Sequence, residues 1–243
     1  MKFPTNLVRG TFERRYKRFF ADVRLESGEL VVAHCPNTGS MRSCIEPGWP
    51  VLISPATNPK RKLRWTLEVA IAPTSAILVN TARPNRVVEM AILSGEIPQL
   101  AGYATLRREV PYGEKSRIDL LLEGPPQAGP NGGHPSGQRC LVEVKNLTLR
   151  TDDGMGAFPD AVTARGKRHL EELAACAAAG DRAVQLFLVP RTDVAAVRPA
   201  DEIDPAYAGA LRLAVAAGVE VLAVQARVDE TGVRVCGQLP VHL

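Results

Sequence analysis

The chain has 243 residues, 45% of them apolar and 23% charged, with a net charge of +4. At roughly 100–200 residues per domain this is one large domain or two small ones. The charge content excludes wholesale disorder, and no run approaches the ~18 apolar residues of a membrane span. Aromatic residues make up only 5%, so the core must be built mainly from Val, Leu, Ile and Ala. Cys35, Cys44, Cys140, Cys176 and Cys236 contain no C-x-x-C pair and are odd in number, which argues against a zinc knuckle and a disulfide framework. With no apolar signal core behind Met1, the expected protein is soluble and cytoplasmic.

Residues 1–80 carry 12 Lys and Arg against 6 Asp and Glu, and residues 81–243 carry 18 against 20. The surplus is clustered. Arg14, Arg15, Lys17 and Arg18 precede Phe19-Phe20, and Lys60, Arg61, Lys62 and Arg64 precede Trp65. Basic groups beside aromatic rings suit a phosphate backbone with bases stacked alongside. They equally suit a solvated face over a small β domain.

Up to residue 80 the pattern is one of short strands, expected at Phe19–Leu25, Leu30–His34, Val51–Ser54, Leu63–Ala70 and Ala76–Asn80. Turn chemistry separates them at Ser27-Gly28, Asn37–Ser40, Pro47-Gly48 and Asn58-Pro59. Five short strands suit a small barrel, and an OB-like barrel is one such fold. Helical spacing then begins at Pro84, with Val88, Ala91 and Ile92 on one face and Gly95 placed to end it. Strands follow at Leu106–Val110 and Ile118–Leu122, joined around Tyr112–Lys115. The Gly- and Pro-rich stretch Gly124–Gly137 reads as a surface loop, and a strand at Leu141–Leu149 comes after it. A long helix is expected from Asp160 to Ala179, with Val162, Leu170, Leu173 and Ala177 on one face and Gly180 at its C′ position. Ala183–Val189 reads as a strand covered on both faces. A helix at Pro205–Ala217 and a strand at Val219–Val228 complete an α/β pattern, with a domain boundary near residues 80–85.

The informative chemistry lies in Ser116–Leu122 and Cys140–Asn146. On a strand Glu143 and Lys145 share a face, and Asp119 opposes Ile118 and Leu120. If the two strands pair, Asp119 faces Glu143. Crowded carboxylates repel, and a divalent cation such as Mg2+ offsets that repulsion. A metal-bound water could then attack a phosphodiester, with Lys145 orienting it or stabilising charge on the phosphate. An exposed strand carrying a plain Glu–Lys pair fits the same residues. Glu89 is a further candidate ligand or a solvated helix residue. Arg165, Lys167, Arg168 and His169, near a helix start, could hold a phosphate or pair with Glu171 and Glu172. Gln185 would share the acidic face if the register holds. His34 has no neighbouring ligand set for zinc, and the sequence has neither a phosphate-binding P-loop nor a serine-hydrolase elbow.

Two resemblances sharpen this reading. An aspartate followed by E-x-K on consecutive strands resembles the PD-(D/E)xK nuclease superfamily. The whole chain resembles the sugar fermentation stimulation protein family, through Arg15–Phe19, Ala33–Met41, Asn58–Leu63, Ser116–Asp119, Val142–Asn146 and Phe158–Gly166. The resemblance implies an α/β protein of two domains: an OB-like β-barrel over residues 1–82 and a nuclease-like domain over 83–243. It implies DNA binding, linked in some members to regulation of sugar metabolism. By the superfamily pattern Asp119 and Glu143 would hold Mg2+ or Mn2+, Lys145 would be the catalytic lysine, and Glu89 an extra carboxylate. Ile118 stands where the superfamily's name has proline, and the Gly124–Gly137 loop looks longer than the pattern needs. The resulting expectation is a Mg2+-dependent deoxyribonuclease that grips DNA without sequence preference through the basic clusters, needs no membrane, and has room to act as a homodimer. A DNA-binding regulator using the fold as a scaffold is the alternative, and an enzyme acting on an anionic small molecule is a third reading.

Overall fold

The computed structural model describes residues 1–58, 60–112, 116–124 and 139–243. The expected joint at Gly113–Lys115, Pro59, and all of the Gly124–Gly137 loop after Gly124 lie outside the described residues.

The first domain is a five-stranded barrel. Strands β1 (Val8–Tyr16), β2 (Phe20–Leu25), β3 (Leu30–His34), β4 (Pro50–Pro55) and β5 (Trp65–Ile71) run in the order β3-β2-β1-β4-β5. The sheet closes through parallel pairs Ala33↔Trp65 and His34↔Thr66. Alternate residues enter the core, among them Phe12, Ala21, Val23, Ala33, Ile53 and Leu67. β1 is an addition to the expected strands; its outward positions are polar or charged, and only Gly10 and Phe12 are buried along it. A short β6 (Ala76–Leu78) folds back to pair antiparallel with β5, and it ends before Asn80, where the expected strand ran to Asn80.

The second domain is a mixed sheet with helices on both faces. Its strands are β7 (Thr105–Tyr112), β8 (Ser116–Glu123), β9 (Cys140–Asn146), β12 (Arg182–Val189), β14 (Glu220–Val228) and β15 (Val233–Gln238), in the order β15-β14-β12-β9-β8-β7. β9, β12 and β14 are parallel, connected by α2 (Ala164–Ala178) and α3 (Pro205–Ala216). The fully buried run in β12 fits its central place. Leu170, Leu173, Tyr207 and Leu211 pack on one face with Phe187 and Leu141. Helix α1 (Pro84–Leu93) covers the other face, where Val87, Val88 and Ala91 meet Leu120, Val142 and Leu186. Barrel residues Leu52, Val69 and Leu78 join that second core. A small sheet of β10 (Leu149–Arg150), β11 (Gly156–Phe158) and β13 (Val197–Pro199) lies beside the main one.

Two expected elements are corrected. The long helix starts at Ala164, not Asp160, because Thr163 caps it by accepting from the Gly166 amide. Val162 therefore lies outside the helix, 77% exposed. The strand expected over Leu141–Leu149 ends at Asn146, and Leu149 belongs to β10.

Polar contacts hold the domains together. Glu68 on β5 is fully buried and accepts from Arg83 Nη2 (2.6 Å) and Nε (3.0 Å), Asn80 Nδ2 (2.8 Å) and Ser54 Oγ (2.8 Å). Arg83 is the residue before Pro84, so the barrel fixes where α1 begins. Buried Arg191 donates to the Thr148 and Ser43 carbonyls and pairs with Asp193, which also takes a hydrogen bond from Thr74. The N-terminus pairs with the second domain through Lys2↔Gly232. Removing one partner of a buried pair strands the other charge. Arg83→Ala is expected to destabilise the protein by about 3 kcal/mol, read as a lower urea midpoint.

Candidate functional site

The site begins where a sheet ladder stops. β8 and β9 pair antiparallel through Leu122↔Cys140, Leu121↔Leu141 and Leu120↔Val142. Asp119 and Glu143 come next on the two strands. There the Asp119 side chain takes over from the backbone, and its Oδ2 accepts from the Val144 amide at 2.8 Å. On the other side β7 also departs from regular pairing. Glu109 has φ +55°, and no pair forms between Arg108↔Leu120 and Val110↔Ile118. A non-glycine residue in this region marks local strain, a feature that clusters at functional sites. Asn85, in the first turn of α1, donates to Asp119 Oδ1 at 2.7 Å.

Glu143 is 2% exposed. Its Oε1 is bound by Lys145 Nζ at 2.5 Å and by His169 Nδ1 from α2. Arg165 Nε donates to His169 Nε2 at 3.3 Å. This pattern sets the tautomer: Nε2 accepts, so Nδ1 carries the proton and donates to Glu143. Gln185 stands beside Glu143 in the parallel β9–β12 register and donates to its backbone carbonyl at 3.1 Å. Two buried oxygens here, Glu143 Oε2 and Gln185 Oε1, have no partner among the described residues. Burial and then the Glu143 charge push the Asp119 carboxyl up to about 6, against the opposing hydrogen bonds from Val144 and Asn85 and the charge of Lys145. For Glu143 burial also acts upward, but the His169 and Lys145 contacts outweigh it and hold the carboxyl below its usual range.

Asp119, Glu143 and Lys145 open into a cleft of about 620 Å3 between the domains. The barrel contributes Arg18, Asn37 and Thr38, and the second domain adds Asp160, Arg165 and His169. Asp160 accepts from Ser40 Oγ at 3.2 Å and from the Met41 amide at 3.4 Å. Gly39 makes this approach possible, because a Cβ there would collide with the Asp160 carboxylate. Arg15 holds the same loop, donating to the carbonyls of Asn37 (2.8 Å) and Gly39 (3.0 Å).

The structure brings together Asp119, Glu143, Lys145, Arg165 and Arg18 at this cleft. Glu89 is not among the lining residues. It binds Arg86 (2.7 Å) and Arg108 (3.6 Å), and Asn85, one turn earlier, is the α1 side chain that reaches Asp119. Lys167 pairs with Glu171 and lines a groove between α2 and α3 instead. Arg14 pairs with Asp22 across the β1–β2 ladder, and Lys17 is exposed at the turn beyond it. Lys60 and Arg64 are exposed on the barrel, while Arg61 and Lys62 line a second cleft. Asn85, Asp160 and the bond from His169 to Glu143 went unread in the sequence. The one available signal was the place of Asn85 directly after Pro84 at a helix start. Among the described residues no group of three or more His, Cys, Asp or Glu side chains is set to hold a metal ion, and no helix is long and apolar enough to cross a membrane.

Two family models match the chain: the SfsA N-terminal OB domain over residues 14–79 and the sugar fermentation stimulation protein RE domain over residues 82–232. The chain belongs to the SfsA family. Sugar fermentation stimulation protein homologs of Nitrosococcus oceani (50% identical) and Pseudomonas paraeruginosa (51%) match it over the full length of both chains. SfsA of Pyrococcus furiosus, solved in complex with Ca2+, superposes with a TM-score of 0.85 at 28% identity, covering 100% of this chain and 98% of that one. These matches span both domains.

A carboxyl raised in the folded state favours folding below its unfolded pKa, and that contribution is lost as pH rises through the folded value. Charged Asp119 is therefore a liability above about pH 6. Asp119→Asn keeps an acceptor for Val144, and the Asn85 amide can turn to meet it. In EDTA the variant is expected to be more stable than the native protein at pH 8 by on the order of 1–2 kcal/mol, with the gain shrinking toward pH 5. Urea unfolding at the two pH values checks this.

Proposed function

We propose that the protein binds DNA and hydrolyses phosphodiesters with a divalent cation held by Asp119 and Glu143. The observation that carries this is the buried Glu143 carboxylate, which keeps Oε2 without a partner while facing the same cleft as Asp119 and Lys145. The donor set fits such an ion. Both carboxylates are hard oxygen ligands, burial and then their mutual repulsion raise the Asp119 pKa, and Mg2+ would keep several waters at such a site. The relative from Pyrococcus furiosus was solved with Ca2+, another cation of oxygen-rich sites. When bound, the cation would lower the pKa of a water and polarise the phosphate. Lys145 is held within 2.5 Å of Glu143 and is positioned to orient the attacking water or to stabilise charge on a phosphate oxygen. His169 and Arg165 fix Glu143 from behind. Glu89, paired with Arg86 and Arg108, does not line this cleft, and Asn85 is the α1 side chain bound to Asp119.

With Mg2+ or Mn2+, purified protein is expected to cut single-stranded, duplex or branched DNA. Asp119→Ala and Lys145→Ala are each expected to abolish the cut while leaving DNA binding in place. All three substrates remaining intact with the native protein would refute the nuclease reading. A second reading, a DNA-binding regulator of sugar-metabolism genes, is favoured by the absence of a third acidic ligand among the described residues. It predicts binding without cleavage.

Both readings place phosphates against the barrel. Replacing Arg61 and Lys62 together by alanine is expected to flatten the slope of log K against log salt by about 1.4–1.8, the span for two lost phosphate contacts. Fluorescence titration at several salt concentrations measures the slope, and an unchanged value would remove these residues from the interface.

A further inference from the structure

The barrel carries a stacked pair of rings, an exposed Phe19 and a half-buried His34, that the cleavage chemistry does not use. Lys17 and Arg18 adopt left-handed backbone angles (φ +47° and +61°) in the turn between β1 and β2. That turn leaves Phe19 outside the core, 46% exposed. Its ring stacks on His34, with centroids 6.3 Å apart and planes 13° from parallel. The backbone is pinned there, because the Cys35 amide donates to the Phe19 carbonyl at 2.8 Å. Burial, followed by the nearby Arg61 charge, holds His34 below the ordinary histidine range, so the ring is neutral at pH 7 and suited to stacking.

The pair stands at the divide between two clefts. Arg18, immediately before Phe19, lines the acidic cleft. His34 lines the second cleft, of about 700 Å3, together with Pro36, Pro55, Arg61, Lys62 and Leu63. The two clefts share a wall, closed by a 3.0 Å hydrogen bond from Thr81 Oγ1, on the acidic side, to the carbonyl of Pro36, on the other. Basic side chains thus flank, on both sides, a pre-stacked ring pair whose Phe19 is exposed.

A base pair inside a duplex has both faces covered by its neighbours, so a ring platform of this kind takes an unpaired base. We infer that the substrate reaches the acidic cleft as a single DNA strand, with a base stacked on the Phe19–His34 pair as its backbone passes from Arg61 and Lys62 to Arg18. This rests on the nucleic-acid reading above and specifies its substrate as unpaired DNA.

The test is fluorescence anisotropy of the full chain in EDTA, which prevents cleavage, with a short labelled oligodeoxynucleotide and a blunt-ended hairpin of matched length. The single strand is expected to bind more tightly. Phe19→Ala is expected to lower single-strand affinity by about 5- to 150-fold, the range for one stacked base. Phe19→Trp is expected to restore it and to show quenching of the added indole by the single strand but not by the hairpin. Equal affinity for the two ligands, or unchanged single-strand affinity in Phe19→Ala, overturns the inference while leaving the nuclease reading standing. If neither ligand binds, both fall.

Discussion

A carboxylate with no access to water must be fully satisfied or it destabilises the fold. Glu68 meets that demand with Ser54 from its own barrel and with Asn80 and Arg83 from the segment leading into α1. The need to solvate one charge therefore fixes the angle at which the first helix leaves the barrel. Asn85 follows two residues later and reaches Asp119. The orientation of the acidic pair is thereby tied to a side chain in the other domain. The apolar core shared by Leu52, Val69, Leu78 and the α1 face reinforces the same geometry.

The site itself comes from a controlled lapse in the sheet. Regular pairing of β8 and β9 would have carried the backbone ladder on through Asp119 and Glu143. Because pairing stops after Leu120↔Val142, one Asp119 oxygen stands in for a backbone carbonyl and the other meets Asn85. The surrounding groups treat the two acids differently. Glu143 is stabilised as an anion by an ammonium and an imidazole N–H, whereas Asp119 is left short of compensation. That imbalance sets a stabilised anion beside an acid that resists charging, within a chain that is basic overall.

Much of this was legible in the sequence, for identifiable reasons. Strict alternation around Glu143 and Asp119, with apolar residues on the opposite face, was enough to place the acids together on neighbouring strands. The continuous apolar run of β12 and the glycine after each long helix were equally direct. β1 escaped because its outward residues are charged and Gly10 supplies no apolar side chain. The start of α2 was set by the Thr163 cap and by the draw of Asp160 toward the barrel loop, contacts about 120 residues apart in sequence that no local pattern records. Glu89 looked like a ligand because it is acidic and on the right helix. In the fold Glu89 is held by Arg86 and Arg108, and it is Asn85, one turn earlier, that reaches Asp119. Arg15 looked like a phosphate contact and is occupied with carbonyls of its own domain.

The knot around Arg191 has a further consequence. Its guanidinium joins Ser43 of the barrel to Thr148 and Asp193 of the sheet domain, and Thr74 closes the circuit from the other side. With that rivet, the Glu68 cluster, the Lys2↔Gly232 bridge and the shared apolar core all in place, the gap between the domains is set by several separate fastenings instead of one pivot. The width of the entrance then belongs to the short loops at its lips, Asn37–Ser40 and Pro159–Thr163. Reshaping what the cleft admits is a matter of editing those lips, and the frame behind them can stay as it is.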